Sequence, residues 1–151
     1  MVLLREPGTE RWSKPRQLVA TGGGLGSPSR VQVARWSPNG REIAFATAWR
    51  LEAVTPEGRR RVVLDARSAG LSEVFDPEWS ADGRALYLQG VDKSGLLGIY
   101  AVSSVGGIPR AVVLLDQPGL RLFEAMTVRG KQLVVTLAEY QADVWTVQLK
   151  Y

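Results

Sequence analysis

Short apolar runs, broken every few residues by Gly, Pro, Asn or Asp, fill this chain, and little of it has the spacing of an amphipathic helix. That pattern predicts strands joined by tight turns. Val31 to Trp36 alternate, and Arg41 to Thr47 alternate again after Ser37-Pro38-Asn39-Gly40. Pro, Asn and Gly at the last three positions of that tetrapeptide suit a type I turn, so the two runs form a hairpin. Leu51 to Val54 reads as a third strand. Thr55-Pro56-Glu57-Gly58 turns the chain again, and Arg61 to Leu64 makes a fourth.

The same text recurs. Ala34-Arg35-Trp36-Ser37-Pro38-Asn39-Gly40-Arg41 returns as Pro77-Glu78-Trp79-Ser80-Ala81-Asp82-Gly83-Arg84, forty-three positions later. A period in this range, with a Trp, a Gly turn and alternating strands, predicts an all-β chain of β-propeller blades, each a four-stranded antiparallel sheet. About three blades are expected, an incomplete propeller. Residues 1–19 close a preceding blade, 31–64 and 74–115 are complete blades, and 121–151 is a final three-stranded blade, giving at least eleven strands. Lys14-Pro15-Arg16-Gln17-Leu18-Val19 matches Ile108-Pro109-Arg110-Ala111-Val112-Val113, the outermost strand of the second complete blade. Trp145 sits at the third-strand position of the last one.

Positions that repeat call for a shared cause. Gly40 and Gly83 end equivalent hairpins, and Asp82 is accounted for by its turn. Trp36 and Trp79 are both expected to fill the wedge between neighbouring sheets. A ligand platform would instead draw on the unmatched aromatics Trp12, Trp49 and Tyr140. Asp76 reads as a strand start before Pro77, and Asp76, Glu78, Asp82 and Asp92 lack the Asp-x-Asp-x-Asp spacing of a calcium loop.

Composition narrows the chemistry. There is no Cys and no His, which removes thiolate nucleophiles, the usual zinc ligands and any Ser-His-Asp triad. No Gly-x-Ser-x-Gly elbow occurs. Thr21-Gly22-Gly23-Gly24-Leu25-Gly26-Ser27 lacks the Gly-Lys-Ser/Thr and following helix of a phosphate loop, and reads as a flexible connection. Catalytic residues, metal ligands and cofactor are therefore expected to be absent. No apolar run reaches the length of a membrane-spanning helix. The first residues do not have the form of a signal peptide, although a mature form or a fragment of an exported protein would read the same. The net charge of +4 is uneven: residues 1–75 hold twelve Lys/Arg against seven Asp/Glu, and 76–151 hold seven against eight. With Arg59-Arg60-Arg61 the only basic run, a solvated surface is expected rather than a nucleic-acid footprint.

Trp36 to Gly40, Trp79 to Gly83, and Gly106-Gly107-Ile108-Pro109-Arg110 before an outer strand together resemble the WD-like propeller repeats of the TolB type. Ala81 stands where that pattern has Pro. The resemblance implies a non-catalytic interaction or regulatory module that binds protein or peptide partners, within a propeller of roughly six or seven blades, and it points to the periplasm. Such propellers also occur beside prolyl-oligopeptidase-type hydrolase domains, so the alternative is the part of a peptidase that gates access to a hydrolase domain. Open blade edges also suggest self-association, with Arg16 to Val19 of one copy adding outside Asp143 to Leu149 of another.

One outcome is expected from composition alone: the purified chain turns over no ester, peptide or nucleotide substrate. Turnover that vanished on replacing one serine or carboxylate would contradict it.

Overall fold

Consecutive antiparallel meanders build the chain. The computed structural model describes residues 17–19, 31, 33–117, 119–130 and 132–139. Strands β1 (Ala34–Trp36), β2 (Ile43–Thr47), β3 (Arg50–Val54) and β4 (Arg60–Asp65) make one sheet in chain order. Strands β5 (Leu71–Trp79), β6 (Ala85–Asp92), β7 (Leu97–Ser103) and β8 (Arg110–Leu115) make a second. Strands β9 (Leu120–Arg129) and β10 (Gln132–Glu139) form a two-stranded sheet. No helix occurs among the described residues, and the all-β class of partial propeller blades holds. The segments expected to carry the remaining strands, and Trp12, Tyr140 and Trp145 with them, lie outside the described residues.

The first two sheets are copies down to single atoms. Trp36 pairs with Ile43 at the end of one hairpin, and Trp79 pairs with Leu86 at the end of the other. Inside each turn a serine closes the ends, its backbone N–H donating to the carbonyl of Glu42 at 2.8 Å or of Ala85 at 2.9 Å. The Ser37 hydroxyl donates to Asn39 Oδ1 at 2.8 Å, and the Ser80 hydroxyl to Asp82 Oδ1 at 2.7 Å. Those same side-chain oxygens accept the N–H of Arg41 and of Arg84, each at 3.0 Å. Gly40 and Gly83 follow with φ of 68° and 70°, a region that any side chain would strain.

The copies also share a defect. β4 carries one residue more than β3 at Val63, and β8 one more than β7 at Val112, a β-bulge at the same repeat position. In the first blade the bulge leaves Val63 and Leu64 together on the covered side, while Val62 stays exposed. These two side chains join Trp79, Leu86, Leu88, Tyr100 and Val102 in one core cluster. One blade's outer strand thus seals the next blade's interior. Leu18 and Val19 do the same one step earlier, packing against Ile43, Phe45 and Val54, which correspond in register to Leu86, Leu88 and Val102.

The paired tryptophans part company. Trp79 is only 4% exposed, and its indole N–H donates to the Arg35 carbonyl at 3.0 Å, tying β5 to β1. Trp36 is 45% exposed, so the expectation that both rings fill a wedge fails for this one. Among the described residues no strand stands before β1 to do for Trp36 what β1 does for Trp79.

Trp79→Ala should therefore lower stability by about 3–5 kcal/mol. Trp36→Ala should cost about 1 kcal/mol or less, as expected of a half-exposed ring. Urea-denaturation midpoints of the two variants check this, and equal losses would contradict the packing described.

Candidate functional site

Turns at one end of the first blade bring the chemistry together. The β1–β2 turn supplies Asn39, Gly40, Arg41 and Glu42, and the β3–β4 turn supplies Thr55, Pro56, Glu57 and Arg59. Between them lies an open cleft of about 490 Å³. Both walls are fixed from within. Asn39 spends its carbonyl oxygen on its own turn, while the Gly58 N–H donates to the Thr55 carbonyl at 2.8 Å.

Glu42 is held from behind. Arg61, on β4, grips it in a two-pronged contact, Nε to Oε1 and Nη2 to Oε2, both 2.7 Å. This bond holds the Glu42 carboxyl below its ordinary range, with burial opposing and the opposite charge assisting. The remaining prong of Arg61 donates to the Ser104 carbonyl at 2.7 Å, reaching the β7–β8 turn of the second blade. Arg41 and Arg59 are exposed on the cleft walls, and no ion pair joins either to a carboxylate among the described residues. The cleft can therefore offer two guanidinium groups to an anionic partner.

A second polar group lies at the junction of the blades. Asp76 is not the strand start that the following Pro77 suggests. It sits inside β5 at a bulge, with φ of 45°, and is buried. A non-glycine residue in that conformation needs its surroundings to hold it. Gln89 Nε2 donates to Asp76 Oδ2 at 3.2 Å, and Arg35 Nη2 lies 3.6 Å from Oδ1. Arg35 Nε also donates to Glu78 Oε2 at 2.9 Å. One guanidinium from β1 is thereby clasped by two carboxylates from β5, next to the Trp79 bond to the same residue's carbonyl.

Of the repeat positions singled out in the sequence, Gly40 lines the cleft, whereas Asp82 and Gly83 form the matching turn of the second blade. The Ser80 hydroxyl and the Arg84 N–H hold the Asp82 carboxyl below its ordinary range. Asp92 is likewise lowered, by the Ser94 hydroxyl and the Leu96 N–H, and forms a turn of its own. Trp49 is exposed, with the Arg67 guanidinium 5.6 Å from its ring centre. Among the described residues no three carboxylates converge in a way that would hold a metal ion. Arg35, Glu42 and Gln89 drew no attention in the sequence, and Arg61 stood out only as part of the basic run Arg59-Arg60-Arg61. One signal was there: Arg35 and Glu78 occupy the same repeat position, before the tryptophan, with opposite charge.

No family model and no curated protein matches the chain. Among solved structures it is similar to an Agrobacterium tumefaciens protein assigned as TolB, at a TM-score of 0.52 and 17% identity. The similarity covers 73% of this chain and 42% of that one, so the chain spans less than half of its neighbour's length. At this identity the likeness concerns the fold, which is that of a TolB-like propeller.

The Glu42–Arg61 pair sets a pH dependence. Glu42 is depressed in the folded chain relative to its ordinary value of 4.5, so the unfolded chain takes up the proton first. Its contribution is complete above that ordinary value and is lost as pH falls through the lower folded one. Denaturation midpoints measured from pH 6 down to about 2 should fall for the native chain. Glu42→Gln should start lower and fall less steeply. Parallel curves would contradict the assignment.

Proposed function

We propose that this chain is a non-catalytic interaction module, part of a larger β-propeller, that binds protein or peptide partners through the turns at its blade ends. The observation that carries the reading is the cleft of the first blade. Two turns stiffened by their own side chains hold Arg41 and Arg59 exposed, and no ion pair engages either among the described residues. Rigid turns on a strand scaffold are the usual place for recognition in such folds, because little order has to be imposed on binding. The two exposed guanidinium groups favour an exposed peptide segment carrying Asp, Glu or a free carboxylate, seated beside the Glu42 and Glu57 carboxylates of the same lining. The length of the TolB-assigned neighbour supports membership of a larger ring.

Fluorescence anisotropy with labelled acidic peptides and their lysine-substituted controls tests this. The acidic set should bind, more weakly as salt rises, and the Arg41→Ser/Arg59→Ser double variant should raise Kd at least about tenfold. Both side chains are exposed, so the fold should survive, which circular dichroism checks. Equal binding by the double variant, or no preference for the acidic set, would overturn the reading.

A further inference from the structure

We propose that the peptide partner spans two blades, with its acidic residue in the cleft of the first and an apolar side chain against Val105 and Ile108 of the second. The inference rests on the acidic-peptide reading above. Its basis is the repeat. Val54 pairs with Ile43 and Val102 with Leu86, so the β3–β4 and β7–β8 turns begin at equivalent residues. The Gly58 N–H donates to the Thr55 carbonyl at 2.8 Å, and the Gly106 N–H to the Ser103 carbonyl at 2.9 Å. Arg61 pairs with Ala53 and Arg110 with Ala101 as the outer strands set out. Glu57 therefore corresponds to Val105, and Arg59 to Ile108, with Gly107 the one residue extra. Where the first blade places charge on its cleft, the second places two apolar side chains, 85% and 94% exposed. The fold does not call for them, since the same positions take charge one blade earlier. Their exposure belongs to the position. Glu57 and Arg59 stay exposed with the second blade packed alongside, so the repeat keeps Val105 and Ile108 exposed beside a following blade.

The ends of the two blades meet. The Ser104 N–H donates to the Arg84 carbonyl at 2.8 Å, and the Ser104 carbonyl accepts Arg61 Nη1 at 2.7 Å. A methyl group at Gly106 would lie 3.1 Å from the Val63 carbonyl oxygen, so the β7–β8 turn is seated on β4. One at Gly83 would lie 3.7 Å from Pro38 Cδ, which brings the β1–β2 and β5–β6 turns together. Arg61 also grips Glu42 in the cleft lining, so one guanidinium ties the turn that carries the apolar pair to the charged site. A turn held in this way costs a partner little ordering, and an apolar side chain laid on it removes both surfaces from water. Glu57 and Asp82 are exposed at the same end, and their charge disfavours an anionic membrane as the occupant.

Fluorescence anisotropy with the full chain tests the span. Labelled acidic peptides are compared with the same peptides carrying one Leu, placed in turn at each position flanking the acidic residue. At one or more positions the Leu should lower Kd about tenfold. Val105→Ser/Ile108→Ser should abolish that gain and leave the Leu-free peptides bound as before, whereas Arg41→Ser/Arg59→Ser should weaken both sets. Both apolar side chains are exposed, so the fold should survive, which circular dichroism checks. Acidic peptides that bind without gain from Leu at any position, or a gain that outlasts the Val105→Ser/Ile108→Ser change, would overturn the span and leave the earlier reading standing. Failure of every acidic peptide to bind would overturn both. Sedimentation with phosphatidylserine vesicles that depends on Val105 and Ile108, with no gain for any peptide, would overturn the span in favour of a membrane surface.

Discussion

A four-stranded sheet standing alone has two faces and no interior, and everything in this chain follows from how that deficit is met. Each blade borrows its cover from its neighbour. Val63 and Leu64, thrown to one side by a bulge, close over Leu86, Leu88 and Val102, and Leu18 with Val19 closes over the matching cluster of the first blade. The Trp79 ring enters the same seam, and its N–H meets the Arg35 carbonyl, so the apolar seal is also registered by a directional bond. The polar clasp beside it would cost more than it returns if any partner were missing, because a buried carboxylate needs its counter-charge. Arg35, Glu78 and Gln89 supply those partners here, and the clasp ties β1 to β5.

The cleft of the first blade inherits its rigidity from this arrangement. Arg61 holds Glu42 at the cleft with two of its nitrogens and the Ser104 carbonyl of the next blade with a third. The shape of the cleft is therefore coupled to the stacking of the blades. Arg41 and Arg59 project, exposed, from turns that are already settled by Asn39 and Thr55.

What the sequence revealed was whatever depends on near neighbours along the chain. The hairpins were legible because Ser, Pro, Asn, Asp and Gly carry their turn preferences locally, and the repeat was legible because two copies used the same chemistry. The fates of Trp36 and Trp79 were not, since burial depends on what stands opposite, and only one of them has β1 beside it. Asp76 misled for a similar reason. An Asp before a Pro reads as a strand boundary, whereas here the residue takes a left-handed backbone inside β5 with its side chain against Gln89 and Arg35. The cleft was hidden because residues 39–42 and 55–59 converge through sheet pairing, and neither turn alone suggests a site.

If blades share one interior, they should open together. Native-state hydrogen exchange of the full chain, read by mass spectrometry on peptides from β2–β3 and from β6–β7, measures this directly. The account predicts one common opening free energy for both sets, and a substitution confined to the seam, Leu64→Ala, should lower both by the same amount. Separate opening free energies, or a change restricted to the substituted blade, would contradict the claim that each blade depends on its neighbour for a core.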